Sequence, residues 1–556
     1  MTKSRNNSVV EAVTVDQTAI RRMSITSEKD LSYLNHDAAI ATKKEQSMSL
    51  LQGIRMYPYA VGWSVFLSTC IVMEGFDKAL IYSLFAMDPF KRKFGTQLPD
   101  GTYELTAAWQ SGLANASLVG EITGLWINGI LAERYGYRKT IIGALAIVTA
   151  CIFLPFFAQN LPTLVAGQVL LGVPFGIFQT ITTTYAAEVC PVALRAYLTT
   201  YVNLCWVMGQ LIASGVLRGV INRTDEWAFR IPFAVQWIWP IPIAIGILFA
   251  PESPWWLIRR ERTADARAAL VRLTSSDPNF NADETVAMME HTNMLEKAHS
   301  TGTSYLDCFK KTDLRRTETV CVTWAIQTMC GGSIMGYSTY FYQNAGLSTE
   351  HAFTMSLAQY GLGAIGTILS WFLMLKFGRR TLYLCGQIAM VVLLAVVGGL
   401  GVVSRENSGA QWGIGSLILI YTFTYDATVG PVCYSLVAEL SSNRLRAKTV
   451  VLARILYNLS GLISNVLFPR MINPSAWNWG AKTGFFWACS CALCALWTYF
   501  RLPEPKGRTF GELDVLFEQR VSARKFKSTV VNQFGTSEES LNIDEKKATI
   551  ERVEAA

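Results

Sequence analysis

Glu74, Asp77 and Lys78 are the residues of this chain best placed to do chemistry, because they sit where charge is expensive. They fall near the middle of Val61–Met87, a mostly apolar stretch long enough to cross about 30 Å of hydrocarbon as a helix. An ionisable residue costs about 2.5–3.5 kcal/mol at such a depth. Spacings of three and four put all three residues on one helix face. Two readings are open: Glu74 and Lys78 neutralise each other so that the helix inserts, or the group faces a water-filled cavity and handles protons or substrate. The second is the default for charge at this depth. Glu121, in Gly120-Glu-Ile-Thr-Gly124, and Arg454, in Leu452-Ala-Arg-Ile-Leu-Tyr-Asn458, are two more charges inside apolar stretches. Neighbouring carboxylates in a partly dry cavity cannot all ionise cheaply, so one can take a proton from an acidic exterior. Arg454 stays charged and can stabilise whichever acid is ionised. A static Glu121–Arg454 salt bridge is the competing reading.

Composition gives these charges their setting. Of 556 residues, 51% are hydrophobic and 16% charged, which points to a polytopic membrane protein. Sixteen Trp and 21 Tyr suit a chain with many membrane–water boundaries. The net charge of +8 is spread over connecting segments and reads as an orientation signal, with no nucleic-acid footprint. The 12 cysteines lie mainly in apolar stretches without metal-ligand spacing, so they read as small core residues. The four histidines lie outside the centres of those stretches, which leaves proton carriage to carboxylates. No nucleophile–base set, metal cluster or phosphate loop appears, so neither an enzyme nor a cofactor is expected. Residues up to about 50 are polar and expected to be disordered, which makes the first apolar stretch an uncleaved signal anchor.

Apolar runs long enough to span predict an all-α membrane protein of twelve helices, near 61–87, 108–131, 140–158, 163–187, 197–218, 232–250, 319–345, 352–375, 381–403, 412–437, 449–468 and 483–502. The polar, helix-patterned break at 251–316 divides them six and six. The expected organisation is an N-tail over 1–55, a six-helix bundle over 56–250, a cytoplasmic helical linker over 251–316, a second bundle over 317–502 and a C-tail over 503–556. Lys and Arg cluster after even-numbered spans, which places those connections and both termini in the cytoplasm. Lys91-Arg92-Lys93 goes against this, offset by Asp88, Asp100 and Glu104. Asn222-Arg-Thr224 falls in an outward connection and could accept a glycan, whereas the sequons at Asn115 and Asn458 lie inside spans. Lys546, Lys547 and the serines of the tail are candidates for ubiquitination and phosphorylation.

The two halves resemble each other. Glu133-Arg-Tyr-Gly-Tyr-Arg-Lys139 is echoed by Lys376-Phe-Gly-Arg-Arg380, Glu188-Val-Cys-Pro-Val-Ala-Leu-Arg195 by Glu439-Leu-Ser-Ser-Asn-Arg-Leu-Arg446, and Pro251-Glu252 by Pro503-Glu504. The copies lie about 240–250 residues apart, as expected of parallel six-helix halves in the major facilitator fold. Each motif puts acids and guanidinium groups at a cytoplasmic helix end. There they can bridge neighbouring helices and the halves, holding one state and opening for release. Positive-inside bias explains the bases but not the recurring acids. The gating candidates are therefore Glu133, Arg134, Arg138, Glu188, Arg195, Glu252, Arg379, Arg380, Glu439, Arg446 and Glu504.

These motifs, with Tyr185-Ala-Ala-Glu188, Pro251-Glu-Ser-Pro-Trp-Trp-Leu257 and Pro503-Glu-Pro-Lys-Gly-Arg508, resemble the sugar-porter branch of the major facilitator superfamily over nearly all of 55–517. Within it, Glu74-Gly-Phe-Asp77, Leu198-Thr-Thr-Tyr-Val-Asn-Leu-Cys-Trp206, Gly336-Tyr-Ser-Thr-Tyr-Phe-Tyr342, Trp477-Asn-Trp-Gly-Ala-Lys482 and Ser522-Ala-Arg-Lys-Phe-Lys-Ser528 are similar to the fungal maltose/α-glucoside–proton symporters. The resemblance implies a plasma-membrane importer of α-linked disaccharides driven by the proton gradient, with proton coupling at Glu74, Asp77, Glu121 and Arg454; a monomer is expected.

Departures from the branch pattern are informative. Gln168 stands where an Arg is usual in span four, so the usual acid–Arg pair cannot form. Asn203, Tyr434 and Gly332 replace a usual Gln, Trp and Asn, and of the usual Gln pair only Gln327 remains. Smaller side chains suit a substrate larger than a hexose. Sugar pockets need amides for hydroxyls and aromatic faces for C–H patches. The candidates are Asn203, Gln327, Tyr337, Tyr340, Tyr434 and Asn458, with Asp426 as a hydroxyl acceptor or packing group. A facilitative uniporter and a non-transporting sugar sensor are the competing functions.

Overall fold

The computed structural model describes residues 48–99, 101–275, 280–300, 305–403, 407–441, 445–506, 508 and 510–529. Most of the N-tail expected to be disordered, the modification candidates Lys546 and Lys547, and the side chain of Arg446 lie outside the described residues. Each of the twelve apolar stretches is helical. Several are continuous: Ala107–Tyr135, Leu161–Val189, Val192–Val220, Thr349–Lys376, Arg379–Leu400, Arg446–Ile472 and Thr483–Arg501. Among the described residues, nine helical segments are long and apolar enough to cross a membrane. Their outward faces carry exposed apolar side chains, such as Ile241, Ile245, Leu248 and Phe249 on one helix and Ile365, Ile368 and Phe372 on another. Such faces suit lipid as solvent.

The remaining stretches are interrupted, each for a local reason. The first is Pro58–Ser68 and Cys70–Leu84, and the third is Tyr137–Cys151 and Phe153–Phe157. The sixth runs Trp227–Val235, a tight turn Gln236–Ile238, then Pro240–Phe249, where Pro240 cannot donate to the carbonyl of Gln236. The tenth breaks at Thr428 between Ser408–Ala427 and Val429–Leu440, because Pro431 lacks the N–H that would reach Ala427. The seventh passes from Lys311–Gln327 through a wide turn, Thr328–Gly332, to Ser333–Gly336 and Ser338–Asn344. Gly331 there has φ 98°, open to glycine and strained for other residues. Carbonyls beside the break are caught by side chains: the Tyr421 hydroxyl donates to Cys330 O (2.8 Å) and the Ser490 hydroxyl to Met329 O (2.6 Å).

The described chain forms two compact units. One is drawn from residues up to Asp77, Val119–Gly209 and Arg230–Thr303, the other from Lys78–Leu118, Gln210–Phe229 and the chain from Ser304 onward. In the second unit a short antiparallel hairpin, Thr96–Gln97 with Tyr103–Glu104, follows the first apolar stretch. No strand is predicted here from the sequence. It sets Glu104 3.1 Å from Lys91, and Lys93 pairs with Glu226 at 2.7 Å. The basic cluster that ran against the orientation rule is thus largely neutralised by acids folded onto it.

The repeated motifs close the same way in each unit. Glu252 accepts from the backbone N–H of Tyr137 (3.0 Å) and Arg138 (3.3 Å), capping the helix that Tyr137 begins. Glu504 does the same for Arg379 (2.8 Å). In both copies a glycine precedes the capped helix because the carboxylate occupies the place of a Cβ. A Cβ on Gly136 would lie 2.6 Å from Glu252, and one on Gly378 2.0 Å from Glu504. Gly136 also has φ 87°. Burial pushes the Glu252 carboxyl above the usual range, opposed by its backbone donors. Glu252→Ala, and separately Glu504→Ala, should each lower the unfolding temperature in detergent, since hydrogen bonds to a charged group contribute about 1.5–3 kcal/mol. Gly136→Ala should cost more than either; thermal unfolding unchanged from wild type would refute the cap.

Candidate functional site

In the first unit the sequence-predicted acids come together around glutamines. Glu74 and Asp77 project from Cys70–Leu84 and Glu121 from Ala107–Tyr135, and all three are buried. The Nε2 of Gln179 donates to Glu74 Oε1 (2.6 Å) and to Glu121 Oε2 (3.1 Å). A single amide nitrogen carries two hydrogens, and here one goes to each carboxylate. Asp77 Oδ1 accepts from Gln168 Nε2 (3.3 Å) and Gln236 Nε2 (2.9 Å). Gln168 is the residue that stands where the branch carries arginine. It still reaches the acid, as a neutral donor.

Glycine lets the backbones approach closely enough for these contacts. A Cβ on Gly120 would lie 2.1 Å from Val169 O, and one on Gly124 2.0 Å from Val173 O. The helix of Glu121 therefore seats directly on the helix of Gln168 and Gln179. Gly75, between the two acids of the first stretch, is pressed as tightly on Trp206 O (2.1 Å). Gln179 and Gln236 were missed in the sequence, because glutamines in apolar stretches carry no periodic or charge signal. Their depth alone could have marked them. Asn203 is buried on Val192–Val220 in the same unit.

In the second unit Arg454 lies over two rings, Trp324 (4.6 Å) and Tyr457 (4.9 Å). Tyr434 packs edge-on against Trp324 (4.9 Å). One turn from Trp324, Gln327 donates to Gly430 O at the tenth stretch (3.3 Å), close to the break that holds Asp426. Asn458 is fully buried, and neither its amide nitrogen nor its oxygen has a partner among the described residues. Such a group costs about 1–3 kcal/mol unless something bonds it. Tyr337 is buried against Tyr82 (4.5 Å), Phe85 and Phe468. Tyr340 donates instead to Glu104 (2.8 Å), next to Lys91. The sugar candidates of this unit are thus split between an amide-and-aromatic group (Gln327, Tyr434, Asn458) and a packed segment (Tyr337, Tyr340).

Among the gating candidates, Glu188, and Glu439 with Arg379, form ion pairs within their own units. Glu188 is met by Arg259 (2.8 Å), the Tyr137 hydroxyl (2.9 Å) and the Ser253 hydroxyl. Its counterpart Glu439 is met by Arg379 (3.1 Å) and the Ser435 hydroxyl (2.8 Å). Arg259, read in the sequence as an orientation signal only, is thus the guanidinium that reaches Glu188. Arg138 contributes its backbone N–H to Glu252, and Glu133 its carbonyl to Arg260 (2.5 Å). Arg134 lies over Tyr135, Arg380 donates to Tyr499 O (2.8 Å), and Arg195 is half-buried.

A family model described as "Sugar (and other) transporter" matches residues 63–517. The chain is 46% identical over 506 residues to the general alpha-glucoside permease of Saccharomyces cerevisiae, covering 90% of this chain and 82% of that one. It is 41% identical over 525 residues to the maltose permease MAL31 of the same yeast, covering 93% and 85%. Among solved structures, the proton:xylose symporter XylE bound to 6-bromo-6-deoxy-D-glucose superposes with a TM-score of 0.68 at 21% identity, over 83% of this chain and 99% of that one. An inward-open form of XylE from E. coli gives 0.64 at 20%, over 82% and 99%. The fold is that of the major facilitator superfamily, all-α and multi-pass, and it serves transport rather than catalysis. The chain belongs to the sugar transporter family.

Proposed function

We propose that this protein imports α-glucosides of the maltose type together with protons, by alternating access across the plasma membrane. On this reading it works as a monomer in the bilayer, with both termini cytoplasmic, and the bundles over 56–250 and 317–502 are the moving halves. The observation that carries the reading is the buried acidic group held by amides: Glu74 and Glu121 on one nitrogen of Gln179, and Asp77 on Gln168 and Gln236. Two carboxylates that close together in a low dielectric favour sharing a proton over ionising together. An amide bonds a carboxylate without bringing a charge of its own. A guanidinium would hold the ionised form. The names of the yeast relatives supply the substrate class, and the unpartnered amide of Asn458 supplies a bonding group for a hydroxyl.

The driving force suffices. One proton moving down about 100 mV yields about 2.3 kcal/mol, and each pH unit adds about 1.4 kcal/mol. A potential of about 150 mV with two pH units supports roughly ten-thousand-fold accumulation. On this reading the cytoplasmic ion pairs at Glu188 and Glu439 and the helix caps made by Glu252 and Glu504 hold each half rigid while it moves.

Simultaneous measurement of proton and radiolabelled maltose uptake tests the reading. Asp77→Asn, and the double variant Glu74→Gln with Asp77→Asn, should lose uphill accumulation and maltose-induced alkalinisation yet still exchange maltose in counterflow. Uphill accumulation by the double variant would overturn proton coupling there, and a preference for glucose over maltose would overturn the substrate class. Gln168→Arg is a sharper probe. It should slow uphill uptake at neutral pH by about tenfold, the effect of about 1.4 kcal/mol, and recover as the medium is acidified. Equal slowing of uphill uptake and counterflow at every pH would show that Gln168 only packs.

A further inference from the structure

The second unit contains a cavity of about 230 Å³ at the ends of four helical stretches, on the face away from the Lys376–Arg380 motif. It is lined by Asn344, Gln411, Asn478, Trp479 and Lys482 over an aliphatic floor that includes Leu400. None of these belongs to the groups described above. We infer that this cavity is an outer loading subsite that receives one glucosyl ring of the disaccharide before it enters the transport path. The inference rests on the α-glucoside reading and adds a second place of contact to it.

The lining chemistry is that of carbohydrate recognition. A pyranose presents a C–H face and a rim of hydroxyls, each both donor and acceptor. An indole matches the face, and carboxamides, which also donate and accept, match the rim. An anion would call for donors alone, yet Lys482 is the one cation among the residues lining the cavity. A volume of 230 Å³ falls below the roughly 300–1,000 Å³ of pockets that enclose whole drug-sized ligands, so the cavity suits one ring with the second left outside.

The wall is also prearranged. Trp477 N donates to Arg470 O (2.9 Å) and Trp479 N to Met471 O (2.6 Å), tying the loop to the end of Arg446–Ile472. Asn478 between them has φ 50° and Gly480 φ 55°, so the chain takes two left-handed steps to present this loop. The two indoles pack on each other at 5.4 Å while remaining 49% and 42% exposed. Anchoring at the membrane interface accounts for exposed tryptophans. It does not account for three amides gathered around a hole beside one of them. Asn344 ends the segment Ser338–Asn344 that carries Tyr340, so a ring seated here touches the same short helix that is fastened to Glu104.

Radiolabelled maltose binding to the purified full chain in nanodiscs tests this. In an Asn458→Leu background weak maltose binding should persist, become about tenfold weaker again with Trp479→Ala or Gln411→Ala, and be largely kept with Trp479→Phe. In proteoliposomes Trp479→Ala alone should raise KM several-fold with kcat nearly unchanged. Two variants on separate segments, each checked by thermal unfolding, guard against simple misfolding. Loss of all binding in Asn458→Leu, or maltose binding and KM indifferent to both Trp479→Ala and Gln411→Ala, would overturn the subsite while leaving the α-glucoside reading intact. Displacement of the residual binding by anionic lipid but not by unlabelled maltose would also overturn it, in favour of a headgroup site. A wild-type protein that neither binds nor takes up maltose would overturn both.

Discussion

The structure of the first unit depends on carboxylates kept dry by amides. Glu74, Asp77 and Glu121 have almost no exposure, and glutamine nitrogens donate to all three. Burying a carboxylate is costly even when it is hydrogen-bonded. The surrounding helices accept that handicap through close backbone contacts at Gly75, Gly120, Gly124 and Gly176. Dense packing there stabilises the helices that hold the acids.

Much of this was legible in the sequence. Twelve apolar runs gave the helices to within a few residues, because hydrocarbon demands a minimum length and tolerates few charges. The acids were legible for the same reason. Three charges near the middle of Val61–Met87 are too costly to be incidental. The internal repeat marked Glu252 and Glu504 as equivalent acids, expected to bridge helices through guanidinium groups, and both instead cap a helix through backbone N–H groups.

What stayed hidden was partnership. Nothing in the order of residues says that Arg259, and not Arg138, meets Glu188. That choice depends on how a short helix, Pro254–Arg259, folds back after its proline start. Gln179 and Gln236 were equally silent, because an amide in an apolar run changes hydropathy little. The Thr96–Glu104 hairpin escaped as well, being only two residues per strand and too short for alternation to register. Tyr340 shows the limit of assigning aromatics by composition. Its residue type suits a sugar pocket, but its ring is buried and its hydroxyl is committed to Glu104.

The turn at Thr328–Gly332 has a mechanical corollary. A continuous helix is a rod, and bending it in an oily medium strips peptide groups of their partners. Here the rod is already cut, and the bared oxygens of Met329 and Cys330 rest on hydroxyls borrowed from Ser490 and Tyr421. The stretch behaves as two levers about a glycine elbow whose loose ends are tied off beforehand. Swinging the shorter lever therefore bends the chain where a wide turn, rather than a regular helical ladder, already joins the two parts.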